Sequence, residues 1–137
     1  MTKEFWINLP ARDLNKSRGF FTKLGFPLNP RFNNSDEMVG LMIGDKKVIV
    51  NFFPEATFKS FTGNEITDTK QSTEVLLSVD AESREEVDEM AKKAIEAGGK
   101  ICSEPGGQGW MYGCVFADLD GHRWNVLYMD MSNIPKE

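Results

Sequence analysis

The sequence predicts an α+β fold of two tandem βαβββ modules. β-prone runs surround two amphipathic helical segments, and each helical segment starts with a capping residue and ends at glycine. The same order of elements occurs twice, which indicates an internal duplication. The offset between corresponding positions is 68 residues from Trp6 to Glu74, 73 from Gly25 to Gly98 and 74 from Asn51 to Asn125.

The first module is predicted over about residues 1–54. It opens with an alternating strand at 4–11, and Asp13 offers an N-cap for an amphipathic helix over 14–24 that Gly25 ends. Three strands follow, at about 28–33, 36–44 and 47–53. Prolines at 27 and 30 place the first of these at a sheet edge or make it irregular.

The linker, about residues 55–72, has no clear period and is predicted to connect the modules, with Phe58 and Phe61 packing on the body or on a second subunit. The second module, about 73–131, opens with a strand at 74–79, and Ser83 begins a capping box. The remaining elements are a helix stopped by Gly98-Gly99 and strands at 100–103, 112–117 and 123–129, the last two joined by an Asp-Gly hairpin.

The composition excludes several classes of function. A net charge of -5 with scattered basic residues argues against a nucleic-acid partner and against binding to an anionic membrane surface. The sequence contains neither a spanning apolar segment nor a signal peptide, so we expect a cytoplasmic protein. Cys102 and Cys114 match no zinc pattern and are expected to be reduced, buried thiols.

Four stretches together resemble a known family. They are 8–14 with the Leu-Gly-Phe helix stop at 24–26, 76–80, 97–100, and the hairpin with its last strand at 118–126. In this order they resemble the vicinal-oxygen-chelate superfamily, which includes glyoxalase, bleomycin-resistance proteins and extradiol dioxygenases. The resemblance implies a single domain over residues 1–137, in which the two modules form a curved mixed sheet around a central pocket.

The resemblance also implies four inward positions, where family enzymes use His, Gln or Glu to hold a divalent metal that polarises the substrate. Carried over to this sequence, those positions hold Trp6, either Val50 or Asn51, Glu74, and Asn125. Only Glu74 is a plausible metal ligand, so the usual metal site is predicted to be degraded. A bound divalent metal stays an open alternative.

Glu74 is the candidate catalytic residue, as a general base or a lone metal ligand, and equally could be a solvated carboxylate. Asn51 and Asn125 occupy equivalent places, where a buried amide serves either a ligand or the backbone at a strand end. The other candidate ligand-binding residues are Trp6, Asn8, Phe53, Trp110 and Tyr112. The loop over 106–112 is a candidate lid, whereas Trp124 is assigned to the core and His122 to an exposed turn.

Two functions from different classes follow, with a third alternative. The first is a metal-free binding protein that holds a small, aromatic or planar molecule, as bleomycin-resistance proteins do. The second is a metal-dependent lyase, isomerase or dioxygenase that uses Glu74. The third is an interaction protein with a vestigial pocket. The expected partners are a small-molecule ligand and a second copy of the chain in a homodimer.

Overall fold

We describe residues 1–32, 35–107 and 109–133 of the chain from a computed structural model. The chain divides into two compact units, Met1–Ser72 and Thr73–Glu137. Each unit has its own sheet and a helix packed against one face of that sheet. The predicted α+β class is confirmed, with separate three- and four-stranded mixed sheets.

The first unit contains a sheet in the order β1-β3-β2 and two helices. Strand β3 lies in the centre, parallel to β1 and antiparallel to β2. The elements are β1 (Trp6–Ala11), α1 (Leu14–Leu24), β2 (Val39–Ile43), β3 (Val48–Pro54) and α2 (Glu55–Thr62).

Helix α1 begins and ends where the sequence predicts. The Asp13 carboxylate accepts a hydrogen bond from the Lys16 amide at 3.1 Å, and Gly25 adopts the left-handed conformation with φ of 89°. The buried side of α1 carries Phe21, whose ring stacks on Phe52 of β3 with centroids 5.1 Å apart. This contact fixes which face of the first sheet belongs to the core.

The predicted strand at 28–33 is wrong. Leu28 forms only an isolated bridge with Leu41, and Pro30–Phe32 is a single 3-10 turn. Pro30 has no amide hydrogen to donate to a ladder, and its fixed φ suits a helical turn. Position 33, the end of the predicted strand, lies outside the described residues. The first unit therefore has two strands and a bridge where three strands were predicted.

The linker predicted over 55–72 begins with a helix that we did not predict. Helix α2 follows β3 at Pro54 and ends at Gly63, which has φ of 72°. Its first residue, Glu55, suits the positive end of the helix dipole. An eight-residue helix gives a weak periodic signal, and α2 has no buried residue. Phe61 is 64% exposed and its ring edge contacts Phe53, with centroids 5.2 Å apart.

The second unit contains a sheet in the order β4-β7-β6-β5, with β4 and β7 parallel and the other pairs antiparallel. The elements are β4 (Leu76–Ala81), α3 (Arg84–Glu96), β5 (Lys100–Gly106), β6 (Met111–Ala117) and β7 (Arg123–Met129). Ser83 caps α3 as predicted, because its hydroxyl accepts from the Glu86 amide at 3.1 Å. None of the helices in the described ranges is long and apolar enough to cross a membrane.

The Asp-Gly hairpin is built around a buried carboxylate. Asp118 Oδ1 accepts from the amides of Asp120 and His122, each at 3.0 Å, and Oδ2 accepts from Trp124 Nε1 at 3.1 Å. The Trp124 indole is 1% exposed and stacks on Phe116, which confirms its assignment to the core. The turn residue Gly121 has φ of 84°, as an Asp-Gly turn requires.

Candidate functional site

The face of the first sheet that points away from α1 carries most of the candidate residues of the first unit. Side chains alternate along a strand, and residues directly paired across strands share a face. The register pairs Asn8 with Asn51, and Asn51 with Gly40. Val50 is 2% exposed and lies on the core side. The ambiguity between positions 50 and 51 is therefore resolved, because Asn51 lies on the face opposite α1.

Asn51 is a buried amide with an incomplete set of hydrogen bonds. Its side chain is 8% exposed, and its Nδ2 donates to Asn8 Oδ1 at 3.2 Å. Its Oδ1 is buried and accepts no hydrogen bond from any described residue. A buried acceptor left without a donor costs about 1–3 kcal/mol, and most such atoms in folded proteins have a partner.

Gly40 makes room for this amide. A Cβ atom at position 40 would lie 3.0 Å from Asn51 Oδ1, 3.1 Å from Asn29 Cβ and 3.6 Å from Asn29 Nδ2. The backbone amide of Asn29 donates to the Gly40 carbonyl at 2.7 Å, so position 29 continues the sheet beyond β2. We call Asn8, Asn51, Gly40 and Asn29 the amide row.

Two aromatic side chains flank the amide row. Trp6 lies two residues before Asn8 on β1 and shares its face, with 55% of its surface exposed. Phe53 lies two residues after Asn51 on β3, is half-buried, and contacts Phe61 of α2. The first unit thus combines an exposed indole, a polar centre and an aromatic edge on one face, which suits a flat ligand with a polar group.

The second unit repeats part of this arrangement. Asn125 of β7 pairs with Ser78 of β4, as Asn51 pairs with Asn8, and Asn125 Nδ2 donates to Ser78 Oγ at 3.3 Å. The duplication therefore aligns position 8 with 78 and position 51 with 125. Asn125 is half-buried, whereas Asn51 is almost fully buried.

Tyr112 and Trp110 do not lie beside Asn125. Alternation along β6 and its register with β7 put Tyr112 on the α3 side of the sheet, where its hydroxyl donates to Asp88 at 2.6 Å. The Arg84 guanidinium lies 5.2 Å from the centre of the Tyr112 ring and donates to the Gly109 carbonyl at 3.1 Å. The hydrogen bond that Tyr112 donates to Asp88, together with partial burial, raises the pKa of Tyr112.

Trp110 is half-buried in the turn before β6, and its carbonyl accepts from the Asp130 amide at 2.7 Å. The candidate lid at 106–112 is thus held at Gly109 by a side chain and at Trp110 by the backbone. Gln108, which belongs to the same predicted loop, lies outside the described residues.

Glu74 was predicted to open the strand at 74–79, but it lies before the observed strand. Strand β4 begins at Leu76, and Glu74 is exposed at a bend two residues earlier. The pairing of Ser78 with Asn125 makes Leu76, not Glu74, the counterpart of Trp6. The offset of 68 residues between Trp6 and Glu74 is therefore two residues too short.

The donor atoms on these faces do not fit a divalent transition metal. The positions that pair across the first and last strands of each unit are occupied by Asn8 with Asn51 and by Ser78 with Asn125. Neutral amides and hydroxyls are weak ligands for zinc, nickel or iron, which prefer imidazole, thiolate and carboxylate. Across residues 1–32, 35–107 and 109–133, no group of three or more His, Cys, Asp and Glu side chains could hold a metal ion.

Sequence reasoning missed three residues of these sites, namely Asn29, Gly40 and Ser78. Asn29 lies in a segment that we assigned to an irregular strand, so its place beside Gly40 depends on a single bridge that no pattern predicts. Gly40 interrupts the apolar run of β2, and a glycine within a strand often marks a close approach of another group. That signal was available in the sequence.

Comparisons with known proteins agree with this architecture. The family model described as the glyoxalase/bleomycin resistance protein/dioxygenase superfamily matches residues 5–126. Among curated proteins, the sequence has no match.

Solved structures similar to this chain include a hypothetical protein from S. aureus, with 35% sequence identity, a TM-score of 0.82, and coverage of 93% of this chain and 94% of that one. A glyoxalase/bleomycin resistance protein/dioxygenase family enzyme from Burkholderia phytofirmans is 20% identical, with a TM-score of 0.73 and coverage of 89% and 94%. A glyoxalase-related enzyme from Fulvimarina pelagi is 19% identical, with a TM-score of 0.72 and coverage of 93% and 88%. The last two show a shared fold.

Proposed function

The chain belongs to the glyoxalase/bleomycin resistance protein/dioxygenase superfamily, and on this premise we propose that it binds a small planar or aromatic molecule without using a metal. The observation that carries the proposal is the buried oxygen of Asn51, which has no donor among the described residues and lies on the same face as the exposed indole of Trp6. An indole offers a flat apolar surface on which a planar ligand can stack, and an unpaired polar atom fixes the orientation of that ligand through a hydrogen bond.

The polar part of the proposed site is the pair Asn8 and Asn51, with Trp6 and Phe53 as its aromatic part. In the second unit we propose Asn125 as the polar position, because it forms the equivalent amide contact there. We do not propose that Tyr112 or Trp110 contacts the ligand. The hydroxyl of Tyr112 is engaged by Asp88, and the backbone of Trp110 is engaged by Asp130.

The metal-dependent alternative has less support. Glu74 is exposed before β4, and amide and hydroxyl groups occupy the paired strand positions. A cytoplasmic location and a homodimer stay predictions. Phe61, which we expected to pack on the body or on a second subunit, contacts Phe53 and keeps most of its surface exposed.

Titration with a set of planar aromatic compounds, followed by tryptophan fluorescence, tests the proposal. We expect at least one compound to change the emission saturably, because Trp6 is exposed on the proposed binding face. The variant Trp6→Leu should lose both the signal and most of the heat of binding measured by calorimetry. The matched control is Phe5→Ala, which removes an exposed ring just before β1. No saturable response from any compound would overturn the proposal.

A further inference from the structure

The amide row presents two complementary groups around one point. Asn51 Oδ1 is an acceptor without a donor among the described residues, and Asn29 Nδ2 is a donor. Both lie close to the place where a side chain at position 40 would begin, at 3.0 Å for the Asn51 oxygen and 3.6 Å for the Asn29 nitrogen. A ligand with a neighbouring N–H and C=O matches this pair, since its N–H meets the oxygen and its C=O meets the nitrogen.

The orientation of Asn29 supports this assignment. Its Oδ1 accepts a hydrogen bond from the Arg31 amide at 3.2 Å, so its Nδ2 is the atom left for another partner. A hydrogen bond also orients the Asn51 amide. Its Nδ2 donates to Asn8 Oδ1 at 3.2 Å, so its Oδ1 is the atom left for another partner. Two asparagines are therefore oriented with an acceptor and a donor beside the position that a Cβ atom of residue 40 would take.

Access to the Asn51 oxygen depends on Gly40 and on Asn29, which lie beside it among the described residues. The Asn51 oxygen is covered in the structure, whereas Asn29 is only half-buried. A ligand that reaches the oxygen meets the Asn29 side chain at the same place, where Nδ2 is the atom available to donate to the carbonyl of the ligand. Any side chain at position 40 would occupy the approach, although nothing in the backbone demands glycine there, because its φ is not positive.

We propose that the first unit recognises a planar lactam, a flat ring compound in which a neutral N–H lies beside a carbonyl. The N–H donates to Asn51 Oδ1, the carbonyl accepts from Asn29 Nδ2, and the ring lies toward Trp6. Neutral groups on both sides avoid the desolvation cost of placing a charge in a buried site. This inference rests on the proposed function and narrows its ligand class.

A matched pair of probes tests the role of the N–H. Quinolin-2(1H)-one carries the donor, and 1-methylquinolin-2-one replaces only its hydrogen by methyl. We expect calorimetry to show at least about tenfold tighter binding of the N–H compound to the wild-type protein, since one lost hydrogen bond to a buried partner is worth roughly that factor.

Two variants assign the preference to the amide row. Asn51→Leu removes the acceptor, and Gly40→Ala blocks the approach with one methyl group. Each variant should bind the N–H compound and its N-methyl analogue with about equal affinity. Asn51→Leu should keep or raise the melting temperature, because it removes a buried oxygen to which no residue in the described ranges donates. Asn64→Leu, at an exposed position after α2, is the matched control and should keep the preference.

The outcomes separate this inference from the proposed function. Equal affinity of the wild-type protein for both probes, or a preference that persists in Asn51→Leu and Gly40→Ala, would overturn the lactam assignment and leave a planar-ligand site. Binding of other aromatic compounds but of neither quinolinone would also overturn it. Failure of every aromatic compound would remove the proposed function as well.

Discussion

A single side chain in the second unit shows how burial sets chemical reactivity. Cys114 of β6 is 2% exposed and lies on the same face of the sheet as Val126. Burial raises the pKa of its thiol to about 11, with smaller contributions from the charges of Asp88 and Glu104. The thiolate is the reactive form, so Cys114 should be inert at neutral pH.

This prediction can be measured with Cys102→Ser, in which Cys114 is the remaining thiol. At pH 8, a pKa of about 11 leaves about one thiol in a thousand ionised, against about a quarter for an ordinary cysteine. Iodoacetamide should therefore modify folded Cys114 at least about a hundredfold more slowly than the same variant unfolded in urea. The folded rate should rise about tenfold per pH unit toward pH 11. Similar folded and unfolded rates would contradict the raised pKa.

Helix α1 shows how local sequence determines an element. Asp13 supplies the acceptor for its first turn, and Gly25 supplies the left-handed residue after its last turn. The chain reverses after Gly25, where the Phe26 amide donates to the Phe21 carbonyl at 3.0 Å. These are short-range features, which explains why the sequence predicts the bounds of this helix correctly.

The same substitution at two glycines of this region should have opposite effects. Gly25→Ala forces an alanine to φ of 89° and should lower the free energy of unfolding by about 1–2 kcal/mol. Gly19→Ala lies inside α1, where an added Cβ meets no atom within 4 Å, and should raise it by about 0.5–1 kcal/mol. Urea denaturation measures both values. A lower free energy of unfolding for Gly19→Ala would contradict the expectation that the backbone entropy of glycine reduces the stability of this helix.

The elements that the sequence did not predict depend on contacts between distant residues. Helix α2 is short and unburied, and the bridge at Leu28 involves one residue pair, so neither leaves a periodic pattern. At the site, alternation correctly placed Trp6 with Asn8 and Trp124 in the core. It could not place Asn29 beside Gly40, because that neighbour comes from outside the regular strands. Glu74 was carried over from the family resemblance as the counterpart of Trp6, whereas strand pairing puts Leu76, two residues later, in that place.

At the scale of the whole molecule, the chain consists of two units with the same plan of strand, capped helix and further strands. The stretch that spans their boundary, residues 63–75, contains no helix or strand, and most of its side chains are exposed. A short turn at Asp68 is its main local structure, since the Asp68 carbonyl accepts from the amides of Gln71 and Ser72. Proteases act on segments that can be extended in the active site, so this stretch should be the most sensitive part of the chain.

Brief trypsin digestion should cut first after Lys70 and give fragments 1–70 and 71–137. Lys46 and Lys47 are also exposed, but they lie in the tight turn between the paired strands β2 and β3. Mass spectrometry of early time points identifies the cut, and Lys70→Gln is the control that should remove it. First cleavage at Lys46 or Lys47 in the wild-type protein would contradict the expected order.

The outer strand of the second sheet has a consequence for how this chain behaves at high concentration. Within the part of the chain that the structure describes, strand β5 pairs only on its β6 side, and its register shifts between Ile101 and Ser103 and again between Ser103 and Gly106. It also contains Pro105, which has no amide hydrogen to offer to an incoming strand. An irregular edge of this kind is a poor template for a strand from another molecule, so β5 protects the second unit from growth into an intermolecular sheet.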